Sequence, residues 1–299
     1  GVDSAVSAAL LKEAGAEVPG VFIKGWYPPG RPCTGAEERR DAMRVAARLQ
    51  IPFLTLDASV EYKKSVIDYL LAEYRAGRTP NPDVMCNRDV KFGAFYRFAK
   101  ERGVDAIATG HYRAGEKDQS YFLWAVPKDI LDATIFPVGN MEKSDVRALA
   151  KKFNLPVAEK RDSQGICFLG SVSVKEFLEK EFGSDNPALL YTIGQKVEGK
   201  YVVGKDVEKR EIKTSTTRAS GAREIRFTDA NWFGDPASAS EAQYRYRGER
   251  CAGRVEGDRF VRKVTPYKTK ESPYEMPAPG QSIVFYRGNE LIGGGIIAG

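Results

Sequence analysis

Four cysteines, at 33, 86, 167 and 251, and a single histidine, His111, are the residues of this chain best suited to covalent and proton-transfer chemistry. No two cysteines stand at a Cys-x-x-Cys spacing, and one histidine cannot complete the local ligand pairs of a structural zinc site. A dense disulfide framework is equally foreign to a chain of 299 residues. Isolated thiols remain, either buried and inert or exposed and reactive. Cys86 lies in NPDVMCNRDVKFG, residues 81–93, behind two prolines and three residues after Asp83. Its setting suits a core residue, half of a disulfide, a metal ligand or a nucleophile. Cys167 lies in DSQGICFLG, residues 162–170, where a glycine-rich polar approach offers backbone N–H groups to a thiolate or persulfide. A small buried hydrophobe is the competing role.

The chain opens with GVDS, a glycine followed by Asp3 and Ser4 where a helix begins. A helix start exposes N–H groups and the positive end of the dipole, which together attract anions. Ser4 can donate to a phosphate, and Asp3 can hold the accompanying cation. The competing role for either is helix N-capping.

The elements that must position these residues change character along the chain. Helices are predicted at Ser4–Ala14, Glu37–Leu49, Val60–Ala76 and Val90–Arg102, with strands VPGVFIKGW, PFLTLD and AIATGHY between them. That alternation predicts a parallel sheet with helices on both faces. After about residue 165 one more helix, Ser173–Phe182, gives way to short alternating segments, LLYTIGQKV, KYVVGKD, REIKTST and RFTDANWF, then RYRGERCAGRV, RFVRKV and SIVFYRGNELIGGGII. Turns at Gly199-Lys200, Gly257-Asp258 and Gly288-Asn289 fall at hairpin spacing. Three parts are expected: a catalytic α/β domain over 1–165, a small connecting module over 166–222, and an antiparallel β-barrel over 223–299.

The net charge of +6 is unevenly spread. Residues 241–270 hold nine Lys/Arg against four Asp/Glu, interleaved with Tyr244, Tyr246, Phe260 and Tyr267. The mixture suits a phosphate backbone and bases to stack on, and equally a solvated face of a β-domain. The longest apolar runs are too short to span a bilayer, and no signal peptide is visible, so the cytoplasm is the expected compartment.

Ten stretches, in order and over nearly the whole chain, resemble the tRNA-specific 2-thiouridylases: GVDS, GRTPNPDVMCN, KFGAF, ATGHY, KDQSYFL, KSDVRALA, DSQGICFLG, YTIGQ, YRYR and PGQSIVFY. The pairing of NPDxxCN with DSQGICF is the most specific. The resemblance implies an adenine nucleotide alpha hydrolase-like domain of the N-type ATP pyrophosphatase kind. It implies ATP, with Mg2+, as the activating substrate, no permanently bound cofactor, and no resident metal site. Its implied reaction is 2-thiolation of the wobble uridine of glutamate, lysine and glutamine tRNAs, with sulfur from a relay protein fed by a cysteine desulfurase.

By the same resemblance, Cys167 carries sulfur as a persulfide, Cys86 completes its release or attacks first, and a transient disulfide joins them. Asp83 is the catalytic acid, beside the target base with Asn81 and Pro82. Gly1, Val2, Asp3, Ser4, Ile23 and Gly110 face the nucleotide. His111, Lys117, Asp118, Gln119, Arg245, Tyr246 and Gln281 contact tRNA. GVDS matches the end of a longer SGGxDS loop, so a strand and Ser-Gly are expected ahead of Gly1. The hairpin before KDQSYFL, the stretch ahead of LLYTIGQ and the basic run after YTIGQ are shorter than the family pattern. The rival readings are a tRNA-binding fragment without activity, and another adenylating enzyme of the same superfamily. The paired cysteines argue against the second.

Overall fold

A computed structural model of the chain describes residues 1–28, 35–161, 173–217, 223–263 and 277–298. The chain divides into two compact units, Gly1–Ser65 with Met85–Gly170, and Val66–Val84 with Ser171–Gly299.

The first unit begins with helix α1 (Val2–Glu13), strand β1 (Gly20–Lys24), helix α2 (Gly35–Leu49) and strand β2 (Phe53–Asp57). Val2, Ala5, Val6 and Ala9 recur at helical spacing on α1 and are buried. They pack with Val45 and Leu49 of α2, and with Val146 and Ala150 of helix α8 (Lys143–Lys152). Each buried Val- or Leu-sized side chain contributes about 1.5–3 kcal/mol, so this cluster fixes the angle of α1. Acidic Glu37 and Glu38 in the first turn of α2 and basic Arg48 in its last complement the helix dipole.

Strands β1 and β2 pair in parallel, as do β3 (Ile107–Ala108) and β4 (Thr134–Ile135). The parallel pairing agrees with the expected sheet, but among the described residues it forms two separate two-stranded sheets. The predicted strand AIATGHY is paired only at Ile107–Ala108. Beyond it Gly110 approaches the start of α1, and the Arg113 N–H donates to the Gly139 carbonyl at 2.7 Å.

Two helices also differ from expectation. The predicted Val60–Ala76 helix consists of α3 (Ser59–Tyr62), a π-helix (Lys63–Asp68) and α4 (Tyr69–Arg75). The predicted Val90–Arg102 helix starts earlier, as α5 (Pro82–Met85), a second π-helix (Cys86–Ala94) and α6 (Phe95–Lys100). Pro82 can open a helix because a first-turn residue needs no N–H. Within the second π-helix a Cβ on Gly93 would lie 2.6 Å from the Arg88 carbonyl oxygen, five residues back. Only glycine permits that wide turn without displacement. Phe92, Ala99, Ile107, Leu123 and Val126 form the core beneath it, and helix α7 (Lys128–Asp132) leads into β4.

In the second unit, helix α9 (Val174–Phe182) starts with a capping box between Ser173 and Glu176. The predicted strand LLYTIGQKV instead begins as helix and passes through a turn. Asn186 caps α10 (Pro187–Leu190) through the Ala188 N–H at 3.2 Å, Pro187 occupies the first turn, and only Lys196–Val197 is strand. That strand, β5, continues an antiparallel sheet with β6 (Lys200–Asp206) and β7 (Glu211–Ser215). The remaining strands are β8 (Glu224–Trp232), β9 (Glu241–Gln243), β10 (Cys251–Glu256), β11 (Arg259–Arg262), β12 (Ser282–Arg287) and β13 (Glu290–Ile297). They close an antiparallel barrel in the order β10-β11-β8-β13-β12-β9. Phe285 sits at its centre, with the rings of Phe227, Trp232 and Phe260 at 5.0, 5.2 and 5.8 Å. Among the described residues no helix is long and apolar enough to cross a membrane.

Candidate active site

In the first turn of α1, Gly110 approaches closely and Asp3 is held by two side chains. Gly1 is the N-cap residue, and no side chain caps the helix. The N-capping alternative for Asp3 and Ser4 is therefore set aside. Asp3 lies inside the first turn, where its Oδ1 accepts hydrogen bonds from the Tyr112 hydroxyl at 2.7 Å and the Lys143 ammonium at 2.5 Å. Lys143 also lies over the Tyr112 ring, 5.8 Å from its centroid. A Cβ on Gly110 would stand 2.6 Å from the Ser4 nitrogen and 2.8 Å from the Asp3 carbonyl carbon. The glycine of ATGHY thus lets the backbone close on the helix start.

The resulting donor set suits a polyphosphate. It comprises first-turn N–H groups that precede intrahelical bonding, the Ser4 hydroxyl and a cation one carboxylate away. Tyr112 and Lys143 carry no role in the sequence reading, although both lie in stretches singled out there. A hydroxyl and an ammonium 31 residues apart in sequence converge on Asp3 only through the fold. Ile23 lies on β1 in register with Leu56, and is half-buried.

His111 follows Gly110, with its Nδ1 3.1 Å from the Thr109 hydroxyl and its ring 5.3 Å from that of Phe92. Burial pushes its imidazole down to about 3, and repulsion from Lys91 adds to the effect. It is neutral at physiological pH and too weakly basic to serve as a general base. Asp118 and Gln119 are occupied within the unit. Asp118 Oδ1 accepts from the Ser120 N–H at 2.8 Å, and Gln119 Oε1 from the Tyr112 N–H at 3.1 Å. Lys117 is half-buried beside them.

Cys86, 3% exposed, is the first residue of the second π-helix. Its neighbour Asn87 is equally buried and donates from Nδ2 to the Phe122 carbonyl at 3.3 Å, anchoring the helix start on the KDQSYFL stretch. Cys251, in the barrel, has its thiol pushed up by burial, with Arg262 opposing. That is the behaviour of an inert cysteine. Cys33 and Cys167 lie outside the described residues. Among the described residues no cluster of three or more His, Cys, Asp or Glu could hold a metal ion.

In the second unit, Asn81 precedes α5, Pro82 opens it, and Asp83 stands in its first turn. Asn81 and Asp83 are half-buried, and Pro82 is buried. The approach to them is tied to the start of β12. The Thr79 N–H donates to the Pro279 carbonyl at 2.7 Å, and Gln281 Nε2 donates to the carbonyls of Thr79 at 2.9 Å and Pro80 at 3.3 Å. Arg245 and Tyr246, half-exposed, lie in the turn between β9 and β10, which is closed by the Gly248 N–H on the Arg245 carbonyl at 2.9 Å.

Two family models match the chain. One, described as the tRNA methyl transferase HUP domain, covers residues 1–171, and the other, the aminomethyltransferase beta-barrel domain, covers residues 222–297. The chain is 36% identical over 351 aligned residues to a tRNA-specific 2-thiouridylase of Streptococcus thermophilus, covering 99% of this chain and 92% of that one. It is 38% identical over 351 residues to a tRNA-specific 2-thiouridylase of Stenotrophomonas maltophilia, covering 100% and 91%.

Proposed function

Because the chain belongs to the tRNA-specific 2-thiouridylase family, we propose that it activates the wobble uridine of tRNA with ATP and replaces its 2-oxygen with sulfur from a cysteine persulfide. The observation that carries the activation half is the first turn of α1, where Gly110 closes on Asp3 and Ser4 and Lys143 stands at the Asp3 carboxylate. The first-turn N–H groups, Ser4 and Lys143 would hold the phosphates. Mg2+, if bound, would neutralise phosphate charge, and Asp3 is the carboxylate placed to hold it. Ile23 borders the adenine in this reading.

The uracil 2-oxygen attacks the α-phosphorus of ATP and pyrophosphate leaves, which turns a poor leaving group into AMP. Sulfur then bonds to C2 as the C–O bond breaks. The Cys86 thiolate bonds to the Sγ of Cys167, and the electron pair of the broken persulfide bond stays on the transferred sulfur. An external thiol reduces the 86–167 disulfide that remains. Asp83, with Asn81 and Pro82 beside the base, handles the proton. His111, Lys117, Asp118, Gln119, Arg245, Tyr246 and Gln281 are assigned to the tRNA surface. The expected acceptors are glutamate, lysine and glutamine tRNAs in the cytoplasm, supplied by a relay that begins at a cysteine desulfurase.

The test is thiolation of unmodified tRNA with ATP, magnesium and a persulfide donor, read as a mercury-gel shift. The shift should vanish in Cys167→Ala and Cys86→Ser, while tRNA binding persists. Tight tRNA binding with no shift from the unsubstituted chain would make it a binding module instead.

A further inference from the structure

We propose that Asn87 is a positioning residue for the Cys86 thiol, an inference that rests on Cys86 acting as the thiolate that opens the persulfide. Asn87 is the second residue of the π-helix that Cys86 begins, and only 3% of it is exposed. A primary amide offers two N–H donors and a carbonyl acceptor. Nδ2 donates to the Phe122 carbonyl at 3.3 Å, while Oδ1 is buried without a hydrogen-bond partner among the described residues. An unpaired buried acceptor destabilises the fold. An apolar side chain of similar size, such as leucine, would fill the place without that penalty. Packing alone therefore does not account for an amide at this position, and the bond to Phe122 does.

That bond ends on a stiff part of the chain. Phe122 closes a short 3-10 helix (Ser120–Phe122), with its own N–H on the Gln119 carbonyl and the Leu123 N–H on the Ser120 carbonyl, each at 2.9 Å. Asp118 Oδ1 holds the Ser120 N–H at 2.8 Å. Gln119 is joined twice to Tyr112, donating its N–H to the Tyr112 carbonyl at 2.9 Å and accepting the Tyr112 N–H on Oε1 at 3.1 Å. The Tyr112 hydroxyl in turn donates to Asp3. Asn87 thereby ties the start of the π-helix to the frame that carries the first turn of α1. Sulfur transfer needs Cys86 placed against a base whose activation takes place at that turn, and a displacement of about 1 Å costs about a hundredfold in rate.

Asn87→Leu keeps the bulk and removes the tether together with the unpaired oxygen. Single-turnover sulfur transfer at saturating tRNA and ATP should fall about tenfold to a hundredfold, while pyrophosphate release, which reports adenylation, keeps the parent rate. Equal losses in both steps would make Asn87 a general structural residue and overturn the proposal. So would an unchanged sulfur transfer, or a rate loss no larger than the loss of folded protein in a melting curve. Should Asn87→Leu fail to fold, Asn87→Ala, which removes the same bond without adding bulk, must show the same split. Cys86→Ser is run in parallel. A Cys86→Ser that transfers sulfur at the parent rate sinks the role given to Cys86 and the tether with it, whereas an inactive Cys86→Ser beside an unaffected Asn87→Leu sinks only the tether.

Discussion

Lys143 and His111 show how the fold reassigns individual residues. Lys143 is a surface-type residue by composition, yet its ammonium lies on Asp3 at 2.5 Å in a largely buried setting. A charge-assisted contact of this kind contributes about 1.5–3 kcal/mol. Lys143→Met should therefore raise the KM for ATP about tenfold or more, measured by AMP release, with tRNA affinity unchanged. His111 makes the opposite case. Its unfolded form titrates near pH ~6.5, while burial holds the folded form down to about 3. The folded state binds fewer protons between those values, so the stability present above the unfolded value is lost as pH falls through that window. Urea melts from about neutral pH down to about pH 5 should show this loss in the parent chain, and a smaller one in His111→Gln.

At the scale of elements, the second π-helix is held open by Gly93. Placing a methyl group 2.6 Å from the Arg88 carbonyl forces a shift of backbone rather than of a flexible side chain. Gly93→Ala should cost about 1–3 kcal/mol in a chemical melt and slow thiolation, because Cys86 begins the same helix. The periodicity of residues 90–102 marks a helix, but its start at Pro82 was not legible, since two prolines nearby read equally well as a turn. LLYTIGQKV misled for a related reason. Its apolar run fits a strand, whereas Asn186 and Pro187 start a one-turn helix that takes Leu189 and Leu190 out of the sheet.

As a whole, the chain carries a HUP domain and a barrel whose residues 241–270 hold a local excess of positive charge, nine Lys/Arg against four Asp/Glu. If residues 241–270 meet phosphates, log affinity for tRNA falls linearly with log salt, and each phosphate contact adds about 0.7–0.9 to the slope. Arg245→Ala should lower that slope by about one contact, read by filter binding over a salt series. The barrel's integrity depends on its aromatic centre. Phe285→Ala removes the ring that touches Phe227, Trp232 and Phe260, and should cost about 3–5 kcal/mol in a melt.

The sequence alone determined the classes of element, the barrel, and the stretches where chemistry is concentrated. Those signals are local: hydrophobic period, turn glycines, and cysteines set in unusual contexts. Only the tertiary structure decided which residues meet. Tyr112 and Lys143 converge on Asp3 because α1 and α8 share a buried face. Gln281 reaches Thr79 and Pro80 across 200 residues of chain because Gly280 allows the start of β12 to approach that backbone closely. Long-range pairing of this kind leaves no periodic mark on the chain, since it is fixed by packing angles rather than by spacing.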